Sequence, residues 1–287
     1  MNDYLINKVL EEVQKSLNSK KTAPASDSGI EVQEQVGQAV CLSADEEKTV
    51  EKGDNLLEVT PVTEFVGTAI GDTVGLVIAN LDNHLHQKMG LDPKYRSVGI
   101  VSARTGAGPH IMAADEAVKA TNTEIAMIEL ARDTKGGAGH GSIIVFAAED
   151  VSDARRAVEV TLKEIDRTFG DVYACDAGHI ELHYTARASF ALEKAFRAPL
   201  GKSFGIIVGA PAAVGLLMAD TALKTANVDI VSYASPDKGT AHSNEIIVSI
   251  TGDSGAVRQS VIAAREVGLN ILRSMGQDPV SVTKPNI

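Results

Sequence analysis

The sequence predicts two compact α/β domains in tandem, each a small sheet flanked by helices. Three observations predict it: one motif is written twice, apolar strand-like runs alternate with helical ones around each copy, and the composition suits tightly layered cores. Apolar residues make up 44% of the 287 while aromatics reach only 4% and Trp is absent, so Ala, Val, Ile and Leu must fill the interior. The length suffices for two such cores.

The duplication is explicit. Val98–Val118 reads VGIVSARTGAGPHIMAADEAV and Phe204–Leu223 reads FGIIVGAPAAVGLLMADTAL. After a one-residue gap the copies run in register at an offset of 105, so that Asp115, Ala117, Lys119 and Asn122 match Asp220, Ala222, Lys224 and Asn227. Past a loop of different length, Ile143–Val145 meet Ile246–Val248 at an offset of 103. Each copy therefore reads strand, glycine-rich turn, helix, strand, loop, strand, helix. Glu64–Leu91 and Ile180–Phe196 place a strand-like run and a helical run ahead of each copy. A turn-rich stretch, Phe169–Gly178, marks the boundary, giving domains at 59–171 and 172–276 and a C-terminal tail at 277–287.

The N-terminal fifth differs. Residues 1–60 hold 12 acidic and 6 basic side chains, which is -6 of the formal net charge of -11. Within residues 1–18, Leu5, Val9, Val13 and Leu17 recur at i, i+4 steps and predict a short amphipathic helix. Residues 19–58 are acidic and Gln-rich, the composition of a flexible linker. So short a helix is marginal alone in water and needs a partner for its apolar stripe. The partner is either the body of the same chain or a second protein gripped by a tethered docking peptide; glutamates on the polar face weigh against a membrane surface.

Several function classes are disfavoured. The acidic balance lacks the basic surface that nucleic acids require. The uncharged run Phe204–Ala219 is short for a membrane span and is broken by Pro211 and by glycines, so no membrane association is expected. Cys41 and Cys175 are too few for a disulfide framework. TGAGPH at Thr105–His110 and KGGAGHGS at Lys135–Ser142 suggest nucleotide loops, but the first lacks its third glycine and the second lacks a lysine before the hydroxyl residue. His179 and His183 flank Glu181 without metal spacing, and Cys175 beside Asp176 has no base at a known distance. No catalytic residue, metal or cofactor is expected. A soluble enzyme or a small-molecule sensor built on the glycine-rich loops is the competing reading.

One surface recurs. Asp115 and Lys119 lie four apart, with Asn122 a turn further on, and Asp220, Lys224 and Asn227 repeat that spacing. A solubility face inherited by duplication explains it, and so does a contact at the edge of each domain.

The helices MAADEAVKATNTE and LMADTALKTANVD resemble the signature helix of bacterial microcompartment shell domains. The elements placed ahead of them resemble the circularly permuted form, and two copies resemble the tandem, trimer-forming class. TEFVGTAIGDTVGLVIAN, DTKGGAGHGS and GHIELHYTARASFALEKAF bring the likeness closest to the tandem class of propanediol-utilisation microcompartments. The resemblance covers Val62–Gly276 and extends to the N-terminal helix. It implies a homotrimer shaped as a pseudohexagonal disc that tiles with other shell proteins, inside the cytoplasm. Asp115, Lys119, Asn122, Asp220, Lys224 and Asn227 would then lie at the disc edge. The pore loops would be Arg132–Ser142 and Ser235–Asn244, with Lys135, Gly136, Gly137, Gly139, His140, Ser142, Lys238, Gly239, His242 and Ser243 as linings for small polyols such as glycerol or 1,2-propanediol. Leu5, Val9, Val13 and Leu17 would dock encapsulated enzyme cargo such as a diol dehydratase.

Overall fold

The computed structural model describes residues 63–131, 141–239 and 243–287. The elements in chain order are β1 (Phe65–Ala69), β2 (Thr73–Ile78), α1 (Asn83–Lys88), β3 (Ser97–Ala103), α2 (Ala107–Ala120), β4 (Glu124–Ala131), β5 (Gly141–Ala148) and α3 (Val151–Thr168). A 3-10 turn at Phe169–Asp171 leads to β6 (Val172–Cys175), β7 (Gly178–Thr185), α4 (Phe190–Phe196), β8 (Ser203–Ala210), α5 (Ala212–Thr225), β9 (Val228–Ala234), β10 (Ile246–Gly252), α6 (Ser254–Ser274) and β11 (Val280–Ser281). The predicted order of elements appears in both copies.

The strands form two antiparallel sheets, ordered β1-β2-β3-β5-β4 and β11-β6-β7-β8-β10-β9. Helices α2 and α3 pair beside the first sheet, and α5 and α6 beside the second. Small residues set the spacing. A Cβ at Gly99 on β3 would overlap the carbonyl oxygen of Ala154 and Val158, so α3 rests almost on the sheet backbone. The residues facing that approach, Ala154, Ala157 and Val158, are all fully buried.

The core does not stop at the domain boundary. One buried cluster runs from Val101, Ile111 and Phe146 of the first sheet and its helices to Leu192, Phe204 and Ile206 of the second. Within the second domain, Phe196 stacks on Phe204 with ring centroids 6.2 Å apart. The two domains thus share apolar surface as layers of one interior do.

A polar knot lies in the first domain, at the start of α2. Gly106 takes a positive φ of 78°, and Phe169 fills the space where its side chain would stand. His110, one turn on, is fully buried. Its Nδ1 donates to the Gly106 carbonyl, its Nε2 meets the Thr73 hydroxyl at 2.6 Å, and Phe169 sits edge-on at 5.7 Å. Burial pushes the imidazole below its ordinary value, against the opposing pull of the Gly106 carbonyl and the Glu181 charge.

This fixes the sign of a pH effect. Above about pH 6.5 His110 is neutral whether folded or not, so no proton couples to folding. Below it the unfolded chain takes a proton that the folded chain refuses, and stability falls by at most about 1.4 kcal/mol per pH unit from this group. Urea midpoints measured between pH 7.5 and 5 should fall on acidification, and His110→Gln should flatten that part of the curve.

Candidate functional site

The signature helices were expected to present the same polar face twice. They do not. Asp115 is fully buried, whereas Asp220 is half exposed at the surface of α5.

Asp115 reaches across from the first domain to the second. Its Oδ1 accepts from Ser189 N at 2.9 Å, from Ser189 Oγ at 2.6 Å and, more distantly, from Leu192 N at 3.4 Å. Ser189 is the N-cap of α4, and its own side chain makes no capping bond. A carboxylate from another domain therefore satisfies the free N–H groups at that helix end, where a negative charge is favoured. Lys119 completes the group, with Nζ 2.8 Å from Asp115 Oδ2 and 2.9 Å from Glu116 Oε1, and donates to Thr185 Oγ1 of β7 at 3.4 Å.

In the second copy Asp220 and Lys224 approach to 2.7 Å, but their side chains are 50% and 75% exposed. Strand pairing makes Asp82 the counterpart of Ser189. Asp82 already caps its own helix, accepting from His84 N and Leu85 N. No vacant helix end of that kind is offered to Asp220. Asn122 and Asn227 are both exposed.

The part of the seam formed by β7 is also polar. Along β7, Glu181, His183 and Thr185 face α2. The buried His183 Nε2 donates to Glu181 Oε1 at 2.7 Å. Gly108 lies beneath them, where a Cβ would overlap the Glu181 carboxylate. The counterparts of these residues on β2 are Val74, Leu76 and Ile78, all apolar and half-buried.

At the outer end of the seam, Val118, Lys119, Arg187, Ser189, Phe190 and Leu200 line a surface cleft. Phe190 and Leu200 are largely exposed there, and the Arg187 side chain adds a second cation beside Lys119. Sequence reasoning missed Arg187, Ser189 and Phe190. The signal in the sequence is GHIELHYTARASFALEKAF itself, which carries all three.

The loops are described only in part. Lys135, Gly136, Gly137, Gly139, His140 and His242 lie outside the described residues, as do Leu5, Val9, Val13 and Leu17. Ser142, expected on a pore lining, is instead a buried residue of β5 whose carbonyl accepts from Ser102 Oγ. Lys238 closes a tight turn with Ser235 through paired backbone bonds, and Gly239 follows at φ 64°. Ser243 Oγ donates to the buried Glu245, which also meets His179 at 3.2 Å. Among the described residues no group of His, Cys, Asp and Glu has the arrangement of a metal site. No helix among them is long and apolar enough to cross a membrane.

The BMC domain family matches this chain twice, at residues 97–176 and 203–278, and the chain belongs to that family. Its relatives are bacterial microcompartment shell proteins. The bacterial microcompartment shell protein PduB of Citrobacter freundii is 69% identical over 218 residues, spanning 76% of this chain and 81% of the relative. Among solved structures, EtuB from Clostridium kluyveri superposes with a TM-score of 0.77 at 64% identity, covering 79% of this chain and all of that one. A trimeric bacterial microcompartment shell protein PduB superposes with a TM-score of 0.76 at 51% identity, over 79% of this chain and all of that one. The chain is a PduB-like tandem shell protein, as the resemblance implied.

The unequal burial of the two aspartates sets their energetic weights apart. Asp115→Ala strips a buried, capped carboxylate and should cost about 3–5 kcal/mol. Asp220→Ala removes an exposed pair and should cost no more than about 1 kcal/mol. Chemical denaturation of both variants checks the contrast, and equal losses would refute it.

Proposed function

We propose that this chain is a non-enzymatic shell subunit whose three copies close head to tail into a ring of six domains that tiles into a microcompartment wall. One observation carries the reading. At matched positions of the two copies, Ile111, Met112 and Ile125 are 0%, 4% and 8% exposed, whereas Leu216, Leu217 and Ile230 are 54%, 39% and 51% exposed. In the first copy this face lies beside the following domain, with α4 packed on both α2 and β4. In the second copy no such domain covers the same face among the described residues.

A second copy of the chain supplies the matching surface. Its first domain offers Val74, Leu76 and Ile78 on β2 and the exposed Leu85 on α1, in the places that Glu181, His183, Thr185 and α4 hold inside the chain. Repeating that step returns to the start after three chains, a closed head-to-tail arrangement. The trimeric relative supports the count.

Tiling uses the rim. Lys119 and Asn122, Lys224 and Asn227, and the cleft of Arg187, Phe190 and Leu200 are the contacts proposed between neighbouring discs and other shell proteins. Each contact is modest and gains weight by repetition around the disc. Small polyols, 1,2-propanediol or glycerol, pass through the subunit, where the polar seam of Glu181, His183 and the Gly108 backbone and the loops at 132–142 and 235–244 offer hydrogen bonds to hydroxyl groups. The N-terminal stripe Leu5, Val9, Val13 and Leu17 attaches enzyme cargo, such as a diol dehydratase, on the inner side of a shell lying in the cytoplasm.

Native mass spectrometry followed by electron microscopy of the same sample tests the reading. The wild-type chain should give a three-chain mass and hexagonally packed sheets. Leu216→Asp with Ile230→Asp should give folded monomers, with a shift in dissociation constant of 100-fold or more expected from exposing two charges to an apolar contact (about 2.7 kcal/mol). Lys224→Glu should keep the trimer and lose the sheets. A double variant that remains trimeric would refute the closing face, and intact sheets from Lys224→Glu would refute that rim contact.

A further inference from the structure

The long helix of each copy ends in its own way. After α6, Gly276 takes a φ of 80°, and Gly276 N and Gln277 N donate back to the Arg273 and Leu272 carbonyls. Gly170 stands at the same distance past α3 but does not take a positive φ. There Phe169 N returns to the Arg167 and Ile165 carbonyls and the chain runs on into the 3-10 turn. Two carbonyls in the last turn of α3 are met from outside instead. Thr283 Oγ1 donates to the Asp166 carbonyl at 2.6 Å and Asn286 Nδ2 to the Arg167 carbonyl at 2.8 Å. Both donors come from the tail, 117 and 119 residues further on.

That tail is anchored at two places. Val280 and Ser281 of β11 pair with Ala174 and Tyr173 of β6, and Val282 N donates to the Val172 carbonyl at 3.0 Å. Further on, Asn286 N and Ile287 N donate to the buried Asp171 carboxylate at 2.8 and 3.1 Å. Arg265 of α6 reaches the same carboxylate at 3.2 Å. Between these anchors the tail crosses the 3-10 turn. Ser281 Oγ donates to the Gly170 carbonyl at 2.6 Å, and a Cβ on Gly170 would overlap the Lys284 carbonyl oxygen. Gly170 is therefore bare so that the two backbones can touch.

Beside that crossing stands Phe169. Its ring fills the space next to Gly71 and Gly106 and meets His110 edge-on. The turn between β1 and β2 and the start of α2 thus both rest on a side chain one residue from the crossing.

We infer that residues 280–287 are a strap. Carried by the second domain, they cap α3 of the first and hold Phe169 in place, so the order of the start of α2 depends on them. The fastening is reciprocal: Asp115 of the first domain caps α4 of the second, and the tail returns the favour at α3. Gly108, over which Glu181 and His183 sit, lies in the first turn of α2, so the strap also steadies that part of the seam. This holds whether or not the ring closes as proposed above.

Hydrogen exchange on the full-length chain tests it. Thr283→Val with Asn286→Ala deletes both cap donors and keeps the backbone bonds of the tail to β6 and Asp171. Peptides covering 163–170 and 105–113 should then exchange at least about 10-fold faster, while α5 and β8 keep their wild-type rates. A chain cut after Pro279 should loosen the same two regions further, and β6 with them. Wild-type exchange at 163–170 in the double variant would overturn the cap. Loosening of 163–170 without 105–113 would overturn the hold on Phe169. Equal acceleration in every helix, α5 included, would overturn the strap in favour of a tail that supports the fold as a whole. The double variant decides among these even where the cut chain fails to fold.

Discussion

A single carboxylate crossing from one domain to the other fixes how the two halves of this chain meet. Asp115 leaves the polar side of α2, enters the seam, and ends on the backbone of Ser189 and Leu192 at the start of α4. Its charge is tolerable in that buried place because Lys119 neutralises it and the helix end supplies donors. The register of β7 against α2 follows from that anchor. With α4 held, Glu181 and His183 stand over Gly108, and Thr185 comes within reach of Lys119. The absence of a side chain at Gly108 is what lets the His–Glu pair sit so low.

Duplication began with two similar halves, and their contacts have since diverged in chemistry. Beside the shared apolar cluster, the seam inside the chain holds polar groups: a capped aspartate, a buried His–Glu pair and a threonine. The difference lies on the β7 side, whose counterparts on β2 are the apolar Val74, Leu76 and Ile78; the helix side is apolar in both copies, with Ile111, Met112 and Ile125 matching Leu216, Leu217 and Ile230. The division has a physical logic. A covalent linker makes the internal contact intramolecular, so a seam with costly desolvation is still formed. A contact between separate chains has no such help and relies on apolar area removed from water.

Much of this was legible in the sequence. The repeat at Val98 and Phe204 specified the order of elements, because period-two and period-3.6 patterns survive in both copies. That Asn122 and Asn227 stand on exposed surface was also legible. The different fates of Asp115 and Asp220 were not. Both stand at the same helical position with a lysine four residues on, and what separates them is Ser189, 74 residues after Asp115, in place of Asp82. Ser142 misled for a related reason. A serine beside a glycine-rich loop reads as polar lining, but the strand pairing of β5 carries it under the sheet. A long-range partner leaves no periodic trace.

The buried seam also orders events in time. The internal contact forms between domains tethered a few residues apart, at an effective concentration in the millimolar range or above, which dilute chains do not reach. Each chain therefore presents to its neighbours a finished pair with one donor face and one acceptor face, and has no second way to associate through them. Growth by addition of such a unit has a direction. An isolated first domain would carry an exposed carboxylate where Asp115 now lies buried, and an apolar partner would reject it. In the proposed ring the linkage works as a proofreading step, admitting to the wall only chains in which both halves have already folded.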